Sequence, residues 1–140
     1  MLLDLKAASK DAVLQELADA VHDQYPEIET EALAAVLHER EQVGSTGVGN
    51  GVAIPHGKIF GIDRTVLCFG RSRKGIVFDA VDNRPVQLFV LILSPDGMAG
   101  EYLKTLAQVS RLLKKAKNRT VLLETGDLDT IVDLFAGPAH

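Results

Sequence analysis

Apolar positions follow two different periods along the chain. Val13, Leu14, Leu17 and Val21 fall at helical spacing after Ser9, a candidate N-cap, and predict a helix over 9–24. Beyond Pro26, Leu33, Val36 and Leu37 line one face of a second helix with Thr30 as candidate N-cap. That helix runs out in His38-Glu39-Arg40-Glu41, and Gly44 is its natural stop. Residues 44–57 read as loop, apart from a short apolar strand at Val52–Ile54. Thr65–Phe69 is rich in β-branched and aromatic residues and predicts a strand. Val86–Leu93 is nearly all apolar, as expected of a central strand covered on both faces; Asn83-Arg84-Pro85 turns into it and Ser94-Pro95-Asp96-Gly97 ends it. Tyr102, Leu103, Leu106, Val109, Leu112 and Leu113 form a stripe that predicts a helix over 101–117, with Lys114, Lys115 and Lys117 in its last turn, where cations suit the helix dipole. An apolar patch at Val121–Leu123 and a last helix over 127–135, with Asp127 as candidate cap, follow. Helices, then strands, then helices predict a three-layer α/β/α sandwich around a mixed sheet.

Composition narrows the class. The 140 residues imply one domain, residues 1–140. The single cysteine, Cys68, forbids an internal disulfide and a Cys-rich zinc site, and its mid-strand position suits a small buried apolar residue. The net charge of −4 argues against a nucleic-acid surface. No apolar run approaches the about 20 residues needed to span a bilayer, and the N-terminus lacks a signal-peptide core, so the expectation is a cytoplasmic protein with no membrane insertion.

Five of the 12 glycines, Gly44, Gly47, Gly49, Gly51 and Gly57, lie within residues 41–58. Glycine permits positive φ and lets backbone N–H groups approach a ligand, so successive N–H groups here are expected to form an anion-binding concavity. The segment is not a P-loop, because Gly-Lys-Ser/Thr is absent, and no strand leads into it as a dinucleotide fingerprint requires. Its distinctive part is Val52-Ala53-Ile54-Pro55-His56-Gly57. Pro55 keeps Ile54 extended, so His56 is delivered from a rigid strand end. Neutral imidazole is nucleophilic near pH 7, and a phosphoryl acceptor needs preorganised donors around it. Its other ring nitrogen needs an acceptor, most simply a backbone carbonyl. The competing reading is a loop histidine that merely ends a strand.

The run Gly44-Ser45-Thr46-Gly47-Val48-Gly49-Asn50-Gly51-Val52-Ala53-Ile54-Pro55-His56-Gly57-Lys58 resembles the fructose/mannitol-type IIA domain of the bacterial phosphoenolpyruvate-dependent phosphotransferase system, in its nitrogen-regulatory branch. The similarity extends through Phe78-Asp79-Ala80-Val81-Asp82 and Val86–Leu93 to the 101–117 helix. It implies that His56 accepts a phosphoryl group from an HPr/NPr-like phosphocarrier whose own donor is enzyme I. It also implies that Arg40, sixteen residues earlier, helps hold that group. A guanidinium can bind phosphate oxygens bidentately, although a helix-end arginine can equally pair with Glu39 or Glu41. The family's second active-site histidine, at the start of the long helix, is replaced by Tyr102. A tyrosine hydroxyl can donate to a phosphoryl oxygen, or Tyr102 can simply belong to the apolar stripe. No nucleotide, metal or organic cofactor is implied.

Around His56, the phosphoryl-binding loop is expected to comprise Thr46, Gly49, Asn50, Gly51 and Gly57, with turn formation an equal role for Thr46 and Asn50. Lys58 either adds positive potential or is merely solvated. His22 reads as a boundary residue, His38 faces away from Arg40, and His140 is terminal. Val48, Phe60, Ile62 and Met98 are candidates for an apolar docking surface, or for ordinary core. Three functions remain open. Phosphorylation can regulate a target protein, the phosphoryl group can pass to a IIB cysteine of a sugar permease, or the chain can be a non-catalytic binding module of the same fold.

Overall fold

A computed structural model describes residues 4–44, 46–59, 62–78, 80, 82–95, 97 and 99–136. Two helices come first: α1 (Lys10–Gln24) and α2 (Thr30–Val43). Ser9 caps α1, its side chain accepting the Ala12 N–H at 3.2 Å. Thr30 is the first helical residue of α2 rather than its cap, since Glu29 holds the cap position without a side-chain bond. Five strands follow: β1 (Gly47–Gly49), β2 (Val52–Ala53), β3 (His56–Ile59), β4 (Val66–Ile76) and β5 (Val86–Pro95). The chain closes with α3 (Ala99–Lys114), α4 (Ala116–Glu124) and α5 (Leu128–Ala136).

The sheet is built on β5. On one edge β2 and β3 run parallel to it in succession, Val52 opposite Leu88 and His56 opposite Ile92. On the other edge β4 pairs antiparallel, Val66 opposite Leu93. β1 joins β2 antiparallel, so the sheet is mixed. The all-apolar sequence of β5 follows from burial on both faces. Phe89, Leu91 and Leu93 enter a core with Val13, Leu14, Leu17, Leu33 and Leu37 of α1 and α2. Leu88, Val90 and Ile92 enter a second core with Val109, Leu113, Leu122 and Ile131 of α3, α4 and α5. Cys68 is buried in the first core, opposite Leu91.

Several elements differ from the sequence expectation. β4 reaches Ile76 rather than stopping at Phe69. The 101–117 helix breaks at Lys115, whose ψ of 120 is extended, and Val121–Leu123 is helical. The break holds because α4 supplies caps for α3. Asn118 Nδ2 donates to the Leu112 carbonyl at 2.8 Å, and Arg119 Nη1 to the Leu113 and Lys114 carbonyls at 2.7 and 2.9 Å. Leu103 leaves the apolar stripe and is 60% exposed. Asp127 does cap the last helix, accepting the Asp129 N–H at 3.0 Å.

The polar stretch that extends β4 contains Arg71, 2% exposed. Its Nη1 donates to the carbonyls of Leu122, Leu123 and Thr125, closing the C-terminal end of α4, and its Nε donates to Asp4 at 3.0 Å. A buried cation is tolerated only where its donors are matched. Removing Arg71 leaves those carbonyls without their donor, whereas Asp4 is mostly solvent-exposed. Arg71→Ala is therefore expected to lose about 3–5 kcal/mol in urea unfolding, and Asp4→Asn less than about 1 kcal/mol. Equal losses in the two variants would contradict this account.

Candidate phosphoryl-acceptor site

β2 and β3 are one strand interrupted at Ile54-Pro55. The Pro55 carbonyl still accepts the Ile92 N–H at 2.9 Å, continuing the ladder to β5. The Ile54 carbonyl instead accepts Nδ1–H of His56 at 2.7 Å. That bond fixes the neutral ring with its proton on Nδ1 and its lone pair on Nε2. Nε2 meets Arg40, whose Nε–H donates to it at 3.1 Å, while Arg40 Nη1 donates to the Gly44 carbonyl at 2.9 Å. Arg40 thus pairs with neither Glu39 nor Glu41. It bridges the helix end and the imidazole.

This approach depends on Gly57. A Cβ there would lie 2.5 Å from Cγ1 of Val36, so only glycine lets β3 lie this close to α2. Val36 and Arg40 are one helical turn apart, on the face that β3 meets. Gly57 therefore serves helix–strand packing, and the space it leaves open faces Val36.

Burial, the largest influence, pushes the His56 pKa below its ordinary 6.5. The Arg40 charge acts in the same direction, while the Ile54 carbonyl and the Glu41 charge oppose them. The Tyr102 ring lies 5.6 Å from the His56 ring, tilted by 41°. Burial raises the Tyr102 hydroxyl pKa, against a smaller lowering by Arg40, so the group is a proton donor at neutral pH. Tyr102 also packs against the second core, so both of its expected roles are compatible with its position.

The glycine-rich loop differs from an open nest of N–H groups. Asn50 and Gly51 both have positive φ, 58 and 74, and turn β1 into β2, as Asn-Gly does in tight hairpins. The Asn50 N–H donates to Asp82 Oδ2 at 3.1 Å, and Gly49, with φ 95, packs beside the same carboxylate. Thr46 is buried, and its N–H and hydroxyl both donate to Glu41. The Thr46 and Asn50 N–H groups are thus engaged within the protein in this arrangement, and Asn50 takes part in the turn. Asp82, which sequence reasoning did not single out, anchors the hairpin; its other oxygen accepts the Arg84 N–H at 3.1 Å, the Asx-turn signature of an Asp two residues earlier. That bond, ahead of the one from Asn50, lowers the Asp82 pKa.

The remaining candidates scatter. Lys58 is exposed. His22 Nδ1 contacts the Ile28 carbonyl at 2.7 Å, and His38 lies 3.5 Å from Asp11. Val48 is 55% exposed, while Ile62 packs against the first core. Ser45, Phe60, Asp79, Val81, Asp96, Met98 and His140 lie outside the described residues. Among the described residues, no three His, Cys, Asp or Glu side chains gather as metal ligands, and no helix is long and apolar enough to cross a membrane.

A depressed histidine pKa fixes the sign of the pH response. The unfolded chain takes up its proton near 6.5, the native site only at lower pH. The stabilisation linked to neutral His56 is complete above 6.5 and declines as pH falls toward the native value. In an NMR titration His56 is expected to have a midpoint below 6.5, moving upward in Arg40→Gln. A midpoint at or above 6.5 in the wild type would contradict the geometry.

Known proteins share this arrangement's sequence and fold. The family model for the phosphoenolpyruvate-dependent sugar phosphotransferase system, EIIA 2, matches residues 1–137. A nitrogen regulatory protein of Bradyrhizobium diazoefficiens is 38% identical over 134 residues, 96% of this chain and 87% of the relative. A fructose-specific EIIA component of Haloferax volcanii is 34% identical over 134 residues, with the same coverage of 96% and 87%. The crystal structure of the nitrogen regulatory protein IIA-Ntr of Neisseria meningitidis superposes with a TM-score of 0.89 at 29% identity, covering 96% of this chain and 91% of that one. With its mixed sheet and its match over nearly the whole sequence, the chain belongs to the EIIA 2 family of the phosphoenolpyruvate-dependent sugar phosphotransferase system.

Proposed function

We propose that this chain is a phosphohistidine carrier with Nε2 of His56 as its acceptor. The observation that carries the reading is the pair of contacts on the ring: Nδ1–H held by the Ile54 carbonyl, and Nε2 facing Arg40. The Nε2 lone pair attacks the phosphorus of a phosphohistidine on an HPr/NPr-type carrier. The P–N bond to the donor breaks, and its electron pair returns to the donor imidazole. The lone pair that attacks is the one Arg40 now contacts. The guanidinium must therefore shift from nitrogen to the arriving phosphoryl oxygens, where it offsets their charge. Burial favours the neutral ring, which is the reactive form. Tyr102 contributes a neutral hydroxyl rather than a second imidazolium. Val43, Val48 and Leu103 are exposed apolar residues within three positions of Arg40, Asn50 and Tyr102 respectively, and suit the rim of a protein-docking surface.

The regulatory role is favoured by the similarity to nitrogen regulatory proteins, one of which is 38% identical. In that role, the added charge of about −1.5 to −2 changes which target protein the surface accepts. Transfer to a IIB domain of a sugar permease is the second reading, supported by the fructose-specific relative.

With enzyme I, an HPr-type carrier and labelled phosphoenolpyruvate, the wild type is expected to gain an acid-labile, base-stable label, and His56→Ala none. Arg40→Ala should slow labelling by roughly 100-fold, the loss typical of one charge-stabilising donor. An unlabelled wild type, or a His56→Ala variant that still labels, would refute the carrier reading.

A further inference from the structure

Glu41 lies in a run of charged residues, yet its side chain is only 5% exposed. A buried carboxylate is costly unless its oxygens are matched. Oε2 lies 2.9 Å from Lys10 Nζ on α1, and that ammonium also sits 4.8 Å from the centre of the Phe78 ring. Oε1 accepts both donors of Thr46, its N–H at 2.9 Å and its hydroxyl. The Thr46 carbonyl in turn accepts the Ile54 N–H at 3.0 Å. The Ile54 carbonyl accepts Nδ1–H of His56 at 2.7 Å. A hydrogen-bonded relay therefore runs from Glu41 through Thr46 and Ile54 to the ring, while Lys10 meets Oε2 as an ion pair at 2.9 Å whose angle does not make a hydrogen bond. Arg40, the neighbour of Glu41 on the same helical turn, holds the opposite ring nitrogen. Both imidazole nitrogens are thus referenced to one turn of α2, one directly and one through the relay.

We infer that Glu41 is a positioning residue for phosphoryl transfer, holding His56 through Thr46 and the Ile54 carbonyl in the Nδ1–H tautomer, which keeps Nε2 unprotonated for attack once Arg40 shifts. The inference rests on the carrier reading above. The position calls for a carboxylate. Thr46 presents two donors to Oε1 and Lys10 presents a cation to Oε2, so the groups that meet residue 41 among the described residues are donors or positive. An amide there must turn its own NH2 donors either toward the ammonium or toward Thr46, which loosens one end of the relay. Thr46→Val loosens the middle differently, removing the hydroxyl while keeping shape and the backbone N–H.

Long-range nitrogen–proton NMR of the His56 ring, without any ligand, reads the tautomer in the wild type, Glu41→Gln and Thr46→Val. The wild type is expected to show one dominant tautomer with the proton on Nδ1. Both variants should populate the Nε2–H form, and their phosphorylation by phosphorylated HPr-type carrier should slow by roughly 10- to 100-fold. That is the size of loss seen when a group orienting a metal-bound histidine is removed. Folded variants with the wild-type ring spectrum and rate would overturn the inference. If Glu41→Gln fails to fold, Thr46→Val decides by the same two readings. A wild type that takes no phosphoryl group overturns the carrier reading alone, because the ring spectra report the hold on His56 without any transfer.

Discussion

Interruption of one strand at Ile54-Pro55 is the constraint on which the site depends. β5 is buried on both faces, so its neighbours must satisfy its polar backbone from within the sheet. Pro55 has no N–H to give, yet its carbonyl still receives the Ile92 N–H. The carbonyl of Ile54 is thereby directed to the imidazole two residues on. A backbone group that ordinary sheet pairing would engage becomes the group that sets a side-chain tautomer. The same break ends β2 and begins β3 with His56, so the ring sits on a rigid element rather than on a loop tip.

The second requirement is close contact between β3 and α2, and it rests on an absent side chain. Gly57 lets Val36 approach, and Arg40 follows one turn later on the same helix. Packing and electrostatics are coupled at this point. Any displacement of the helix that relieved a crowded residue 57 would also move the guanidinium off Nε2. The chain as a whole is acidic, but the site depends on one cation close by and on a buried carboxylate whose charge is matched by Lys10. Local placement of charge, not net charge, makes a phosphate-handling role compatible with −4 overall.

Much of this was legible in the chain. The apolar run Val86–Leu93 reads as a doubly covered strand because both of its faces are indeed core, and Ser9 announces α1 by its capping chemistry. Pro55 before His56 signals a rigid presentation, and a backbone carbonyl on the second ring nitrogen follows from the chemistry of imidazole. Arg40 is singled out by family resemblance; spacing alone says nothing of the 3.1 Å contact. Other features leave no local trace. β4 runs past Phe69 through Arg71-Ser72-Arg73-Lys74, which looks solvated, because Arg71 finds its partners fifty residues later in α4. The break at Lys115 carries neither Gly nor Pro, since the caps come from Asn118 and Arg119 beyond it. Glu41 looks like one more surface acid because Lys10, its partner, belongs to another helix. Asn50-Gly51 did carry a hairpin signal, which the density of glycines around it obscured.

The central claim is that the Ile54 carbonyl occupies Nδ1 and leaves Nε2 as the reacting nitrogen. Phosphorylated protein with labelled ring nitrogens tests this most directly, through one-bond phosphorus–nitrogen coupling at His56. The account predicts coupling to Nε2, with Nδ1 still protonated. Coupling to Nδ1, or phosphorus on another residue, would contradict it.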